Sequence, residues 1–146
     1  KTLAEVGIRA EASDDLETAC RAADVISTVT ASTRPIVLGS WISPGTHLDL
    51  IGAFRGDMRE SDDLAVTQAE VFVDSISGAT LAGDLSQPLQ DGQITLDEIR
   101  ADLSEICQGV HPGRTNDATR TLFKSAGMAL QDLAASELAL DQSSSG

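Results

Sequence analysis

Three short runs of β-branched and aliphatic residues stand out along the chain: Val25-Ile26-Ser27-Thr28-Val29-Thr30, His47-Leu48-Asp49-Leu50-Ile51 ending at Gly52, and Val71-Phe72-Val73-Asp74. Each has the length and composition of a strand. Between them the apolar positions recur at helical spacing. Ser13 to Glu17 opens a helix that sets Leu16, Ala19, Cys20 and Ala23 on one face, with Asp14 and Glu17 spaced as a capping box. Leu64 to Glu70 reads as a second helix, preceded by the acidic run Glu60-Ser61-Asp62-Asp63, which suits a helix N-terminus. Strands separated by helices cannot pair as hairpins, so the pattern predicts an α/β fold with a parallel sheet and right-handed crossovers, half of a doubly wound architecture.

The flanking segments are less periodic. Leu3 to Val6 resembles the last turn of a helix stopped by Gly7, as if the chain began in mid-element, and Ile8 and Ala10 fit a short strand. Pro35, Gly39, Pro44 and Gly45 mark a loop around Trp41, and Asp91-Gly92 marks a turn. Thr95 and Glu98 form a capping box that predicts a helix through Leu103, and His111-Pro112-Gly113 breaks the chain again. Gly127 to Leu140 predicts a long helix, packed on one side through Met128, Leu130, Leu133, Ala134 and Leu138, before a frayed tail over 142–146.

The 146 residues suffice for one domain or part of a larger one. With three Phe, one Trp and no Tyr, the core must be built from Ala, Leu, Ile and Val, which favours helix-on-sheet layers over a sandwich. A formal charge of −13 argues against nucleic acid and anionic membranes as partners. No run approaches the ~20 apolar residues of a membrane span, and Lys1 to Glu5 lacks the layout of a signal peptide, so the chain reads as cytoplasmic. Cys20 and Cys107 lie far apart without metal-ligand spacing and are expected to be buried thiols.

Ligands of parallel sheets bind beyond the carboxyl ends of the strands, which singles out Thr28 to Ser32 and Ile51 to Phe54. Hydroxyls there could hold ribose or amide oxygens, and Gly52 admits close approach of a flat ring; equally, Thr belongs in strands and Gly in turns. His47 reads as a partly buried strand residue and His111 as a surface-loop residue. Asp57, Glu60, Asp62 and Asp63 lack the spacing of a cation site and are expected to serve a helix start, so no metal is assigned. Ser125, before Gly127, lies where free N–H groups attract a carboxylate or phosphate, or where an N-cap is needed.

Several segments in order carry a family likeness: Ala23 to Ser32, Pro44 to Ala53, Met58-Arg59-Glu60, Ala82 to Leu85, Gly109 with Gly113-Arg114, and Leu122-Phe123-Lys124-Ser125-Ala126-Gly127 running on to Gln131-Asp132-Leu133-Ala134-Ala135. Their order and spacing resemble the ornithine cyclodeaminase/mu-crystallin family. The resemblance implies a Rossmann-type domain for NAD(H) or NADP(H), of which residues 1–125 would be the latter part. Residues 126–141 would be a C-terminal helix returning towards a separate domain for substrate binding and homodimer contacts, with 142–146 a flexible tail. No Gly-x-Gly-x-x-Gly occurs in these residues, so the choice between NAD and NADP is not legible. As a fragment, such a sheet would be poorly stable alone and without independent activity.

The resemblance also implies site residues. Thr30, with Thr28 and Ala31 beside it, should touch the dinucleotide; Ile51, Gly52 and Ala53 should line the nicotinamide; Ser125 should contact cofactor and Ala126 should lie near the substrate. Phe54 stands where cyclodeaminases carry an acidic residue that moves protons, and Met58 stands where they carry Lys. The likeness therefore points to the ketimine reductases of the family, which act on small cyclic imino acids, with Phe54 facing the substrate. Ornithine cyclisation, an amino-acid dehydrogenase and a non-catalytic cofactor-binding protein are the alternatives. No residue of this chain is assigned a catalytic role.

Overall fold

The computed structural model describes residue 5 and residues 7–144. Its centre is a five-stranded sheet, parallel throughout, in the order β1-β2-β5-β3-β4. The strands are β1 Val25–Thr28, β2 His47–Leu50, β3 Glu70–Val73, β4 Ile99–Asp102 and β5 Thr121–Lys124. The helices are α1 Leu16–Ala22, α2 Asp63–Thr67, α3 Ile76–Ala79, α4 Gly83–Gln90, α5 Leu103–Cys107 and α6 Ala129–Ser144. The chain leaves a gap between β2 and β3 that its last strand fills, so β5 is the central strand of this sheet. In register, Leu48 and Val71 flank Leu122, and Leu50 and Val73 flank Lys124.

Parallel register places these side chains on a common face, where they meet Ala65 and Val66 of α2 and Leu85 of α4. All are buried, and full burial of each Leu or Val is worth about 1.5–3 kcal/mol. On the other face Phe72 and Phe123 are registered neighbours, covered in part by α5. No aromatic-rich core was available, and the aliphatic layer expected from composition is what forms.

Several local expectations are corrected. Residues 8–13 form neither helix nor strand, so Ile8 and Ala10 are not a strand. Leu3, Ala4 and Val6 lie outside the described residues. The cap of α1 is Asp15, whose carboxylate accepts from Thr18 N, while Glu17 pairs with Arg21 at 2.7 Å and is not half of a box with Asp14. The Thr95–Glu98 box is present, but it closes a single turn and not a helix through Leu103. Ile99 and Ala101 alternate with polar neighbours and pair with β3, which makes β4. A second box, Asp102 with Glu105, then starts α5.

Cys20 is buried, and burial pushes its thiol pKa up. Cys107 is exposed, because α5 is one short turn at the surface and Cys107 ends it. His111 is in a loop, yet it is half-buried with its ring edge against Phe72 at 5.4 Å. α6 continues through Ser144, so residues 142–144 lie within the helix. Its apolar side is largely open: Leu130 is 67 % exposed and Leu133 and Leu138 are likewise exposed, while Met128 is half-buried. Among the described residues no helix is long and apolar enough to cross a membrane.

Candidate functional site

Because all five strands run parallel, their carboxyl ends lie along one edge of the sheet, and the ends of β1, β2 and β5 are adjacent. Ile51 N and Gly52 N both donate to Thr28 O, and Ser125 N donates to Leu50 O. The segments Thr28–Ala31, Ile51–Phe54 and Ser125–Ala126 therefore form one shelf. Within it Thr28, Ala53 and Ser125 are buried, Gly52 and Ala126 half-buried, and Thr30, Ala31 and Ile51 exposed, with Phe54 57 % exposed. A Cβ on Gly52 would overlap Thr30 N, Thr30 O and Glu60 Oε1, so the close approach of the two strand ends demands glycine there.

Glu60 is the pin beneath this shelf. It is fully buried and accepts five hydrogen bonds: Thr30 N at 2.6 Å and Thr30 Oγ1 at 2.8 Å on Oε1; Gly52 N at 2.8 Å, Thr28 Oγ1 at 2.9 Å and Ala53 N at 3.2 Å on Oε2. Burial alone would raise its pKa. The donors from Thr30, Thr28 and Gly52 outweigh it and hold the carboxyl below its ordinary range. The acidic run was therefore misread at this position. Asp62 does cap α2, accepting from Ala65 N, and Asp63 pairs with Arg59, but Asp57 pairs with Arg55 and Glu60 serves the strand ends.

Two more buried carboxylates support the shelf. Asp84 Oδ1 accepts from Glu60 N at 2.8 Å and Ser61 N at 3.0 Å, while its Oδ2 lies 3.3 Å from Lys124 Nζ. Lys124 Nζ also donates to Leu50 O at 3.0 Å, and both members of the pair are fully buried. Asp74 Oδ2 accepts from Ser125 Oγ, Ala126 N and Gly127 N at 2.8–2.9 Å. The N–H groups after Ser125, read from sequence as an anion site, thus already hold an anion supplied by the end of β3. Glu60, Asp74, Asp84 and Lys124 are the site residues that sequence reading missed. All four lie in quoted motifs or at a strand end, but spacing gives no sign of which charges go inside.

Cavities also lie outside the shelf. A pocket of about 360 Å³ opens on the far face of the sheet beside Phe72, Phe123 and His47, and one of about 460 Å³ lies between α5 and α6 beside Asp74. His47 is half-buried in β2 as expected, its Nδ1 2.8 Å from Thr121 Oγ1. Burial and the nearby Arg114 lower its pKa against the opposing pull of Asp49. Among the described residues no cluster of His, Cys, Asp or Glu is arranged to hold a metal ion.

A model of the ornithine cyclodeaminase/mu-crystallin family matches residues 1–146. The chain belongs to that family. It is 42 % identical over 134 residues to the delta(1)-pyrroline-2-carboxylate reductase of Paracoccus denitrificans, covering 87 % of this chain and 41 % of that protein. It is 40 % identical over 133 residues to the ketimine reductase mu-crystallin of Mus musculus, covering 90 % of this chain and 39 % of that one. The solved delta(1)-pyrroline-2-carboxylate reductase of Thermococcus litoralis, in complex with NADH and L-proline, superposes with a TM-score of 0.90 at 34 % identity, over 95 % of this chain and 43 % of that one. The sheet is thus Rossmann-like, as in NAD-binding reductases of the family. The chain spans about two-fifths of the length of the curated relatives it matches.

The family's dinucleotide chemistry can be tested against the shelf. The hydroxyls of Thr28 and Thr30 donate their protons to Glu60, which leaves them only acceptor capacity towards a ligand. What the shelf offers outward is the apolar surface of Ile51 and Phe54 with the backbone of Thr30 to Ala31. That surface suits a flat, uncharged ring and not a phosphate.

Proposed function

We propose that this chain belongs to an NAD(P)H-dependent reductase of small cyclic ketimines, producing a cyclic amino acid such as L-proline or L-pipecolate. Residues 1–125 act as the latter part of its dinucleotide-binding domain, and α6 leads to the substrate-binding and homodimer contacts. Thr28, Thr30, Ala31, Ile51, Gly52, Ala53 and Ser125 hold the nicotinamide end of NAD(H) or NADP(H), with Phe54 and Ala126 towards the substrate.

The observation that carries this reading is the chemistry of Ile51 to Phe54. Glu60, the carboxylate beneath the ends of β1 and β2, is buried and saturated by five donors, and the exposed side chain beyond Ala53 is Phe54. This shelf can hold a ring and exclude water, but it cannot shuttle protons as ornithine cyclisation requires. Reduction asks less of it: reduced nicotinamide supplies a hydride to the imine carbon of a protonated cyclic imine, and the C=N electron pair passes to nitrogen to give the secondary amine. The named activities of the Paracoccus, mouse and Thermococcus relatives support the same class.

The test is oxidation of NADH and NADPH by the protein as its host makes it, with 1-pyrroline-2-carboxylate and with pyruvate plus ammonia in separate reactions, and release of ammonia from L-ornithine in a third reaction supplied with NAD+. Consumption with the cyclic imine, impaired in Phe54→Asp, is expected. Release of ammonia from ornithine, or turnover confined to the oxo acid with ammonia, would overturn the assignment.

A further inference from the structure

We infer that Glu60 is the positioning residue of the nicotinamide shelf, setting the distance between the two strand ends that hold the ring. The inference rests on the dinucleotide reading above. Glu60 belongs neither to the strands nor to a helix cap; it reaches the shelf from the loop that precedes α2. All five donors to its carboxylate come from the ends of β1 and β2: the amides of Thr30, Gly52 and Ala53 and the hydroxyls of Thr28 and Thr30. The arm is itself fixed from behind, since Glu60 N and Ser61 N donate to Asp84, and Glu60 O accepts from Ile36 N and Val37 N. A Cβ at Gly52 would already overlap both Thr30 and Glu60, so the clamp is closed to its steric limit.

This geometry requires the ionised acid. Each carboxylate oxygen takes at least one backbone N–H: Oε1 that of Thr30, Oε2 those of Gly52 and Ala53. An amide in either orientation would set its NH₂ against a backbone donor, and such an unmade buried bond separates the strand ends. Asp keeps the charge on a shorter arm and holds one strand end better than two. Because Glu60 lies under the shelf, its effect on the ligand is carried by the positions of Thr30 and Gly52.

The experiment compares wild type, Glu60→Gln and Glu60→Asp in the protein as its host makes it, measuring the Kd of NADH by fluorescence, kcat and KM for the cyclic imine, and amide hydrogen exchange. In Glu60→Gln the Kd for NADH rises on the order of tenfold or more, the equivalent of one to two lost hydrogen bonds. The amides of Thr30, Gly52 and Ala53 lose protection while those of Leu48 and Leu122 keep it. Glu60→Asp falls between the two.

Wild-type affinity for NADH in a folded Glu60→Gln protein would overturn the inference and leave the dinucleotide reading standing. A wild-type protein that binds no NADH or NADPH would overturn both. Should Glu60→Gln not fold, Glu60→Asp decides: affinity that falls with the loss of Thr30 and Gly52 protection supports the clamp, and full affinity with both amides unprotected refutes it.

Discussion

On the face of the sheet that meets α2 and α4, Ile26, Leu48, Leu50, Val71, Val73 and Leu122 are buried; on the opposite face Phe72 and Thr121 are buried, but Val25 is 62 % exposed, Ser27 is open, and Asp49 and Phe123 are half-covered. Both faces are made by the same strands, so the difference lies in what packs on them. Parallel sheets are ordinarily covered on both sides, and their strands then read as continuous apolar runs. Here β1 and β2 alternate, and the second face satisfies its polar groups locally, Ser27 Oγ donating to Asp49 at 2.9 Å and His47 bonding Thr121. The first face carries the opposite device, a charged pair sealed inside. Stability is therefore concentrated on one side of the sheet, directly beneath the shelf.

The largest test of this contrast removes the sealed cation. Lys124→Met leaves the Asp84 carboxylate buried without its partner and is expected to cost about 3–5 kcal/mol in chemical denaturation. A cost under about 1 kcal/mol would mean that α4 shifts and water reaches Asp84. The next test uses adjacent residues of β5. Leu122→Ala on the closed face should cost about 2–5 kcal/mol, and Phe123→Ala on the other face about 1 kcal/mol, closer to a surface change. Equal losses in the protein as its host makes it would show that the second face is covered there.

The smallest effect is a pH dependence on the more open face. Burial, with Arg114, lowers the folded pKa of His47 against Asp49, so the unfolded chain binds the proton more readily. This contribution is absent above the unfolded value of about 6.5. It destabilises progressively as pH falls from there to the lower folded value. His47→Gln should flatten the stability profile over that window and leave the profile above it unchanged; an identical slope in the variant would show that another group is responsible.

How much of this was legible in the sequence differs by element. β1, β2 and β3 declared themselves because β-branched runs are locally favourable for strands, and the alternation with α1 and α2 implied parallel pairing. β4 was hidden because Thr95 and Glu98 form a true capping box, whose local signal is the same for one turn as for a long helix; pairing of Ile99 and Ala101 with β3 ended the turn. β5 was hidden for a different reason. Its Lys124 looks like a surface residue until Asp84 arrives from α4 to neutralise it. The shelf was found from strand ends and family likeness, but its supports were not, since Glu60 read as an acidic residue serving a helix start and Asp74 as the last residue of a strand.

The sequence by itself determined the strand-forming runs and the cap at Asp62, because these depend on backbone preferences and contacts a few residues apart, whereas glycine is needed at position 52 only because Thr30 and Glu60 close on it in the fold. Only the tertiary structure decided which charges are buried. Inserting β5 between β2 and β3 sets Lys124 against Asp84 and the Ser125 turn on Asp74, and the 58–61 loop carries Glu60 under the ends of β1 and β2. A carboxylate goes inside when several donors from distant segments converge on it, and that convergence exists only once the sheet has closed.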